Sequence, residues 1–93
     1  NILPLNAFTT TSGSTTISVN EPNHGRSTSD TVRFRDVLNV GGVAATTINN
    51  SNGYTITKID DDNYTFATGT TSSISESGGG GAASAGPVTV SAW

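Results

Sequence analysis

The sequence predicts an all-β fold, a small antiparallel β-sandwich or barrel-like module with an extended N-terminal arm and a C-terminal strand. Three observations predict it. Several short runs alternate apolar and polar residues, Thr, Ser, Gly and Asn are abundant, and no window carries the 3.6-residue apolar stripe of a helix. The 93 residues allow one small domain.

The apolar content predicts a thin core. Apolar residues make up 32% of the chain and cysteine is absent, so neither a large core nor disulfides can supply its stability. Burial against neighbouring subunits would supply it, because anything that binds only the folded state stabilises that state. We therefore expect other copies of the chain as partners.

The charge and the length of the apolar runs argue against nucleic acid and a membrane as partners. Only 12% of the residues are charged and the net charge is −3, whereas a nucleic-acid binder needs a basic surface to neutralise phosphates. No apolar run approaches the ~20 residues needed to cross a bilayer. We expect neither nucleic acid nor a membrane as a partner.

Residues 1–13 are predicted to form the extended arm. Pro4 and the polar run at 9–13 argue against a helix. The arm carries four large apolar side chains that should dock on something, namely Ile2, Leu3, Leu5 and Phe8. Two targets are open: an edge of its own domain, or a neighbouring subunit.

Residues 14–76 are predicted to form the β module. Strands are expected over 15–20, 31–35, 54–59 and 64–68, with a weaker one over 70–75. A turn at 21–25, a long connection at 36–52 and an acidic turn at 60–63 join them, and a β-bulge near Lys58 would bring Ile59 onto the core face. The side chains expected to face inward are Ile17, Val19, Val32, Phe34, Tyr54, Ile56, Tyr64 and Phe66.

The C-terminal part reads as a linker followed by a strand. Gly and Ser dominate residues 77–86, which predicts a flexible linker. Residues 87–93 alternate again, with Val88 and Val90 on one face and Trp93 at the end. This strand could close its own sheet or add to the edge of a neighbouring copy.

Catalytic and metal-binding interpretations find little support in the sequence. His24 is the sole histidine, and its segment lacks a nucleophile elbow, so we interpret it as a turn residue that bonds to the backbone. The run Asp60, Asp61, Asp62 lacks the Gly and Glu positions of an EF-hand loop and is interpreted as an acidic hairpin turn. We predict no catalytic residue, no metal site and no cofactor.

Three further patterns give only weak support for a phosphate loop, glycosylation sites and a sugar-binding face. The run Gly78–Gly81 lacks the Lys-Ser/Thr of a phosphate loop. The triplets beginning at Asn49 and Asn63 match the glycosylation pattern, which is frequent by chance in such a chain. The aromatic side chains could form a sugar-stacking face, although their alternation with Thr favours a core.

The order of segments resembles a small β module of tailed-bacteriophage virion proteins. The segments are TTSGSTTISV, HGRSTSDTVRF, VGGV, YTITKIDDDNYTF and a Gly-rich stretch. The residues that carry the likeness are His24, Gly25, Asp30, Val32, Phe34, Gly42, Tyr54, Ile56, Asn63, Tyr64 and Phe66. Ser29 departs from it, standing where Gly is expected before Asp30.

The resemblance implies a non-enzymatic module that assembles with copies of itself and with neighbouring virion proteins. Together with the thin core, the two extended termini and the Gly-rich linker, it leads us to expect a capsid decoration, cement, tail or fibre module, located in the virion, whose arm and C-terminal strand reach neighbours. Two alternatives remain open: a subunit of a microbial extracellular filament or surface layer at the cell surface, and a carbohydrate-binding module that uses Tyr54, Tyr64 or Trp93.

Overall fold

A computed structural model describes residues 2–79 and 84–87, which form one curled, half-barrel antiparallel sheet and one short helix. This confirms the predicted all-β class. The elements in chain order are β1 Phe8–Thr10, β2 Thr16–Asn20, β3 Thr31–Arg35, α1 Ala45–Ile48, β4 Tyr54–Lys58, β5 Asn63–Ala67, β6 Ser77–Gly78 and β7 Ser84–Pro87. Their order in the sheet is β6-β1-β2-β5-β4-β3-β7. The helix in this part of the chain is too short to cross a membrane.

The strand register places the large apolar side chains on the concave face. Ile17 lies opposite Phe66, and Val19 lies between Phe8 and Tyr64 on the flanking strands. Directly opposed residues share a face of the sheet, so each pair adds to one core. The rings of Phe8 and Phe34 meet edge to face with their centroids 5.2 Å apart. Seven of the eight side chains predicted to face inward are buried, and Tyr54 is half-buried against them.

The connection between β3 and β4 contributes more to the core than the sequence predicted. It contains the helix α1, which the sequence did not predict. It also buries four side chains, those of Val37, Val40, Val43 and Ile48. Asn39 fixes the start of α1, because Asn39 Oδ1 accepts a hydrogen bond from the Ala45 amide at 2.7 Å. The side chain of Asn49 binds both backbone groups of Val37, at 3.0 and 2.9 Å. This segment packs against the concave face of the sheet.

The N-terminal arm is partly built into the sheet. Phe8–Thr10 pairs with β2 on one side and β6 on the other. The sequence left open whether the arm docks on its own domain or on a neighbouring subunit. This part of the arm pairs with its own domain.

The predicted linker over 77–86 is paired at both of its ends. Ser77–Gly78 pairs with β1, and Ser84–Pro87 pairs with β3. Backbone hydrogen bonds form a strand whatever the side chains. Directly after β6 a glycine is required, because a Cβ at Gly79 would lie 2.7 Å from a ring carbon of Phe8. The expectation of a free linker is therefore wrong for these ends. Of the predicted strand at 87–93, only Pro87 lies within the described residues.

Two smaller predictions also need correction. No strand forms over 70–75, where the Ser72 and Ser73 amides instead bond to the carbonyls of Ser14 and Gly41, both at 2.9 Å. The amides of Ile59 and Asp60 both donate to the Asn63 carbonyl, so two residues oppose one, as in a β-bulge. This bulge does not bring Ile59 onto the core face, because its side chain stays 61% exposed.

Candidate functional site

The turn after β2 is built directly on the acidic turn between β4 and β5. The amides of Glu21 and His24 donate to the carbonyls of Asp62 and Asp61, at 2.8 and 3.1 Å. The Asn23 amide donates to Asp62 Oδ1 at 2.9 Å. The two turns therefore form one polar unit at the end of the sheet.

Glu21 lies at the centre of this unit and is only 1% exposed. Its two carboxylate oxygens accept Arg26 Nε and Nη2, each at 3.0 Å, in a bidentate ion pair. Glu21 Oε1 also accepts the Tyr64 hydroxyl at 2.6 Å. Nothing in the sequence singled out Glu21, because a Glu before Pro22 reads as an ordinary turn residue.

Burial and this hydrogen bonding shift two pKa values. Burial raises the pKa of the Tyr64 phenol, and the neighbouring Glu21 carboxylate raises it further. Burial lowers the pKa of the Arg26 guanidinium, but the hydrogen bonds and charge of Glu21 outweigh it, so the pKa is raised overall. Each shift favours the protonation state that the buried carboxylate requires, so the cluster is electrostatically consistent.

Both ring nitrogens of His24 are used within this unit. Nδ1 accepts the Arg26 amide at 2.8 Å, so Nε2 carries the hydrogen and donates it to the Asp60 carbonyl at 2.7 Å. The ring also meets Tyr64 edge to face, with centroids 5.1 Å apart. The imidazole is thus placed as a turn-bracing group, and neither nitrogen is presented to a substrate.

The three aspartates of the acidic turn accept hydrogen bonds or an ion pair from the protein. Asp60 Oδ1 accepts the Asp62 amide at 2.8 Å and Asn63 Nδ2 at 2.9 Å, and these bonds lower the pKa of Asp60. Asp61 lies 3.4 Å from Lys58 Nζ. Among the described residues, no three His, Cys, Asp or Glu side chains converge to hold a metal ion.

The aromatic side chains offer little to a sugar ligand. Phe34, Tyr64 and Phe66 are buried in the core. Tyr54 is half-buried, its ring lies 4.8 Å from that of Phe66, and its hydroxyl donates to the Thr47 carbonyl. Trp93 lies outside the described residues.

The four predicted arm contacts divide into two buried and two exposed side chains. Leu3 and Phe8 are buried in the chain's own core, so in the folded protein they cannot contact a neighbour. Ile2 is 70% and Leu5 77% exposed. The predictions for Val88, Val90 and Trp93 fall outside the described residues.

The side chain of Leu38 is exposed as well. The Asn6 amide donates to the Gly79 carbonyl at 2.9 Å, and a Cβ at Gly79 would lie 3.2 Å from Val37 Cγ1. Leu5 precedes Asn6 and Leu38 follows Val37, so each leucine adjoins in the chain a residue that contacts Gly79, and Leu38 is 73% exposed. We refer to the exposed side chains of Ile2, Leu5 and Leu38 together as the apolar surface.

Comparison with known proteins gives no relative from which to transfer a function. No protein-family model matches the chain, and no curated protein matches it.

Proposed function

We propose that this chain is a non-enzymatic structural module of a virion, a capsid decoration, cement, tail or fibre unit that assembles with copies of itself and with neighbouring virion proteins. The observation that carries the proposal is the exposure of Ile2 and Leu5 on an arm whose other large side chains are anchored in the core. In an assembly, a protein partner would remove these side chains from water. The resemblance of the segment order to phage virion modules supports the location.

The polar residues support a non-enzymatic role. His24 and Asp60 are the natural candidates for acid–base chemistry, and both bind groups of the turns in which they stand. Glu21 is closed off by Arg26 and Tyr64. The unit formed by these side chains holds two turns together, which suits a scaffold.

Self-assembly is tested by the molar mass of the chain in solution, measured by light scattering over a concentration series. We expect the native chain to exceed the monomer mass, and an Ile2→Ser/Leu5→Ser variant to be monomeric. The matched control is Ile74→Ser, because Ile74 is 51% exposed but lies outside the apolar surface. A native chain that stays monomeric at every concentration would refute the self-assembly.

The location is tested with an antibody raised against the folded domain. Virus particles and cell-surface filaments purified from the source of the gene are labelled and imaged by electron microscopy. Label on the particles is the expected result. Label confined to the filaments would overturn the virion assignment in favour of an extracellular filament or surface layer.

A further inference from the structure

We infer that the Arg33 guanidinium of one copy binds the carboxylate of Asp61, in the acidic turn of a second copy. This inference rests on the proposed self-assembly and names a charged contact within it. Complementary charges fix the orientation and the rate of association more than they add affinity. The contact therefore orients copies that the apolar surface holds together.

Arg33 lies on the outer face of the sheet, because its neighbours Val32 and Phe34 are buried on the concave face. Its Nε is closed off from solvent and has no hydrogen-bond partner, and its guanidinium forms no ion pair with any described residue. A buried donor without an acceptor costs free energy. An anion that binds the other two nitrogens of the guanidinium would balance its charge and offset this cost.

A second positive charge lies beside Arg33 on the same face. β7 places Gly86 directly opposite Arg33, and Arg35 Nη1 lies 4.0 Å from the position that a Cβ of Gly86 would take. The Arg35 side chain therefore extends along the sheet toward Arg33. With two arginines against one aspartate, residues 33–36 keep a net charge of +1. The planar fork of arginine matches the geometry of a carboxylate, so this face suits an acidic partner.

The acidic turn presents Asp61 to solvent. Its side chain is 88% exposed, and its ion pair with Lys58 spans 3.4 Å between two exposed groups. A pair of this kind contributes little, so it leaves Asp61 available to a second cation. Asp60 and Asp62 stand on either side and make three consecutive acidic residues. The turn is thus the complement in charge of the face that carries Arg33.

The two charged groups lie at opposite ends of the sheet, so they meet only between copies. Val32 pairs with Tyr54, and from this pair β3 runs toward Arg33 while β4 runs toward the acidic turn. At about 3.3 Å per residue, Arg33 and Asp61 are separated by about 20 Å along the strands. This is more than twice the Debye length of about 8 Å at physiological ionic strength, so their attraction within one copy is screened. A contact between two different ends is heterologous and lets copies add in a row or a ring.

Charge reversal tests the inference, with assembly followed by light scattering over a concentration series at low salt. Arg33→Glu or Asp61→Arg alone places like charges at the contact and should raise the concentration needed for half-assembly about tenfold. The double variant Arg33→Glu/Asp61→Arg restores an opposite pair at the native net charge and should assemble like the native chain. High salt should shrink the effect of each single reversal, because screening weakens attraction and repulsion alike.

Lys58→Glu is the matched control for Arg33→Glu. It makes the same change in net charge but leaves Arg33 and Asp61 in place, so it should not raise the concentration needed for half-assembly. Circular dichroism shows whether each variant is folded. Asp61→Arg changes an exposed side chain and tests the contact by itself if Arg33→Glu does not fold.

The outcomes separate this inference from the proposed function. If Asp61→Arg assembles as well as the native chain, or if the double variant assembles no better than the single reversals, the charged contact is wrong while self-assembly stands. Loss of assembly in Arg33→Glu that Asp61→Arg does not share would assign Arg33 to another anion and would also overturn the contact. A native chain that is monomeric at every concentration would overturn both proposals.

Discussion

The hydroxyl of Tyr64 donates a 2.6 Å hydrogen bond to the carboxylate of Glu21, and both side chains are buried. Tyr64 belongs to β5, whereas Glu21 directly follows β2, so this bond ties a core strand to the turn that carries His24. The Arg26 guanidinium closes the other side of the carboxylate. The conformation of the two turns depends on this group of three side chains.

Removal of Glu21 should cost more stability than removal of the Tyr64 hydroxyl. Tyr64→Phe loses one hydrogen bond to a charged group, worth about 1.5–3 kcal/mol. Glu21→Ala leaves the partly buried Arg26 charge without this carboxylate and should cost about 3–5 kcal/mol. Urea denaturation of both variants measures the difference. Equal losses of unfolding free energy in the two variants would contradict the claim that Glu21 holds this group of side chains together.

The raised pKa of Tyr64 predicts a loss of stability in alkali. The unfolded chain releases the phenolic proton near the ordinary Tyr pKa of about 10, whereas the folded protein holds it to higher pH. The contribution of Tyr64 to the free energy of unfolding should therefore be constant below about pH 9 and fall as pH rises above about 10. Urea denaturation across this range tests it.

Tyr64→Phe is the control for the alkaline titration, and it should remove most of the fall. Burial also raises the pKa of Tyr54, so a smaller fall should remain. A variant that loses stability in alkali as steeply as the native chain would show that Tyr64 is not responsible.

Ser29→Gly should stabilise the protein. Ser29 has φ 78°, a left-handed conformation that costs a residue with a side chain about 1–2 kcal/mol. Glycine avoids this strain but gains freedom in the unfolded chain, so the net gain should be about 0.5–1 kcal/mol. Ser27→Gly, in the same turn but without a positive φ, should destabilise. Thermal melting of both variants decides, and a loss of stability in Ser29→Gly would contradict the strain.

The connection between β3 and β4 should behave as core. Ile48 is fully buried, so Ile48→Ala should cost about 2–5 kcal/mol of unfolding free energy. Ile74→Ala makes the same chemical change at a side chain that is 51% exposed and should cost well under half as much. Similar losses in chemical denaturation would show that the connection is not part of the core.

The strands were predictable because alternation marks a sheet with one buried face. Val32 and Phe34, or Tyr64 and Phe66, fall on one face by their spacing alone, and the structure buries all four. The pairing of β5, which carries Tyr64 and Phe66, with β4 follows from the short acidic turn between these two strands. Ser29 is a subtler case: the resemblance placed a Gly there, and the backbone takes the conformation that Gly favours.

Other features depend on long-range contacts that leave no local pattern. Val37, Val40 and Val43 do not alternate as in a strand, and are buried because their loop folds onto the concave face. Ser77–Gly78 has the composition of a linker and becomes a strand because β1 offers an unpaired edge. Glu21 needs Arg26 and Tyr64 together, and Tyr64 stands 43 residues away in the chain.

The central claim is that the apolar surface joins copies of this chain. The most direct test is the molar mass of the native chain and of Leu5→Ser, measured by light scattering over the same concentration series. The account predicts a native mass that rises with concentration above that of the monomer, and a monomer for Leu5→Ser. A native chain that is monomeric throughout, or a Leu5→Ser variant that assembles equally well, would contradict it.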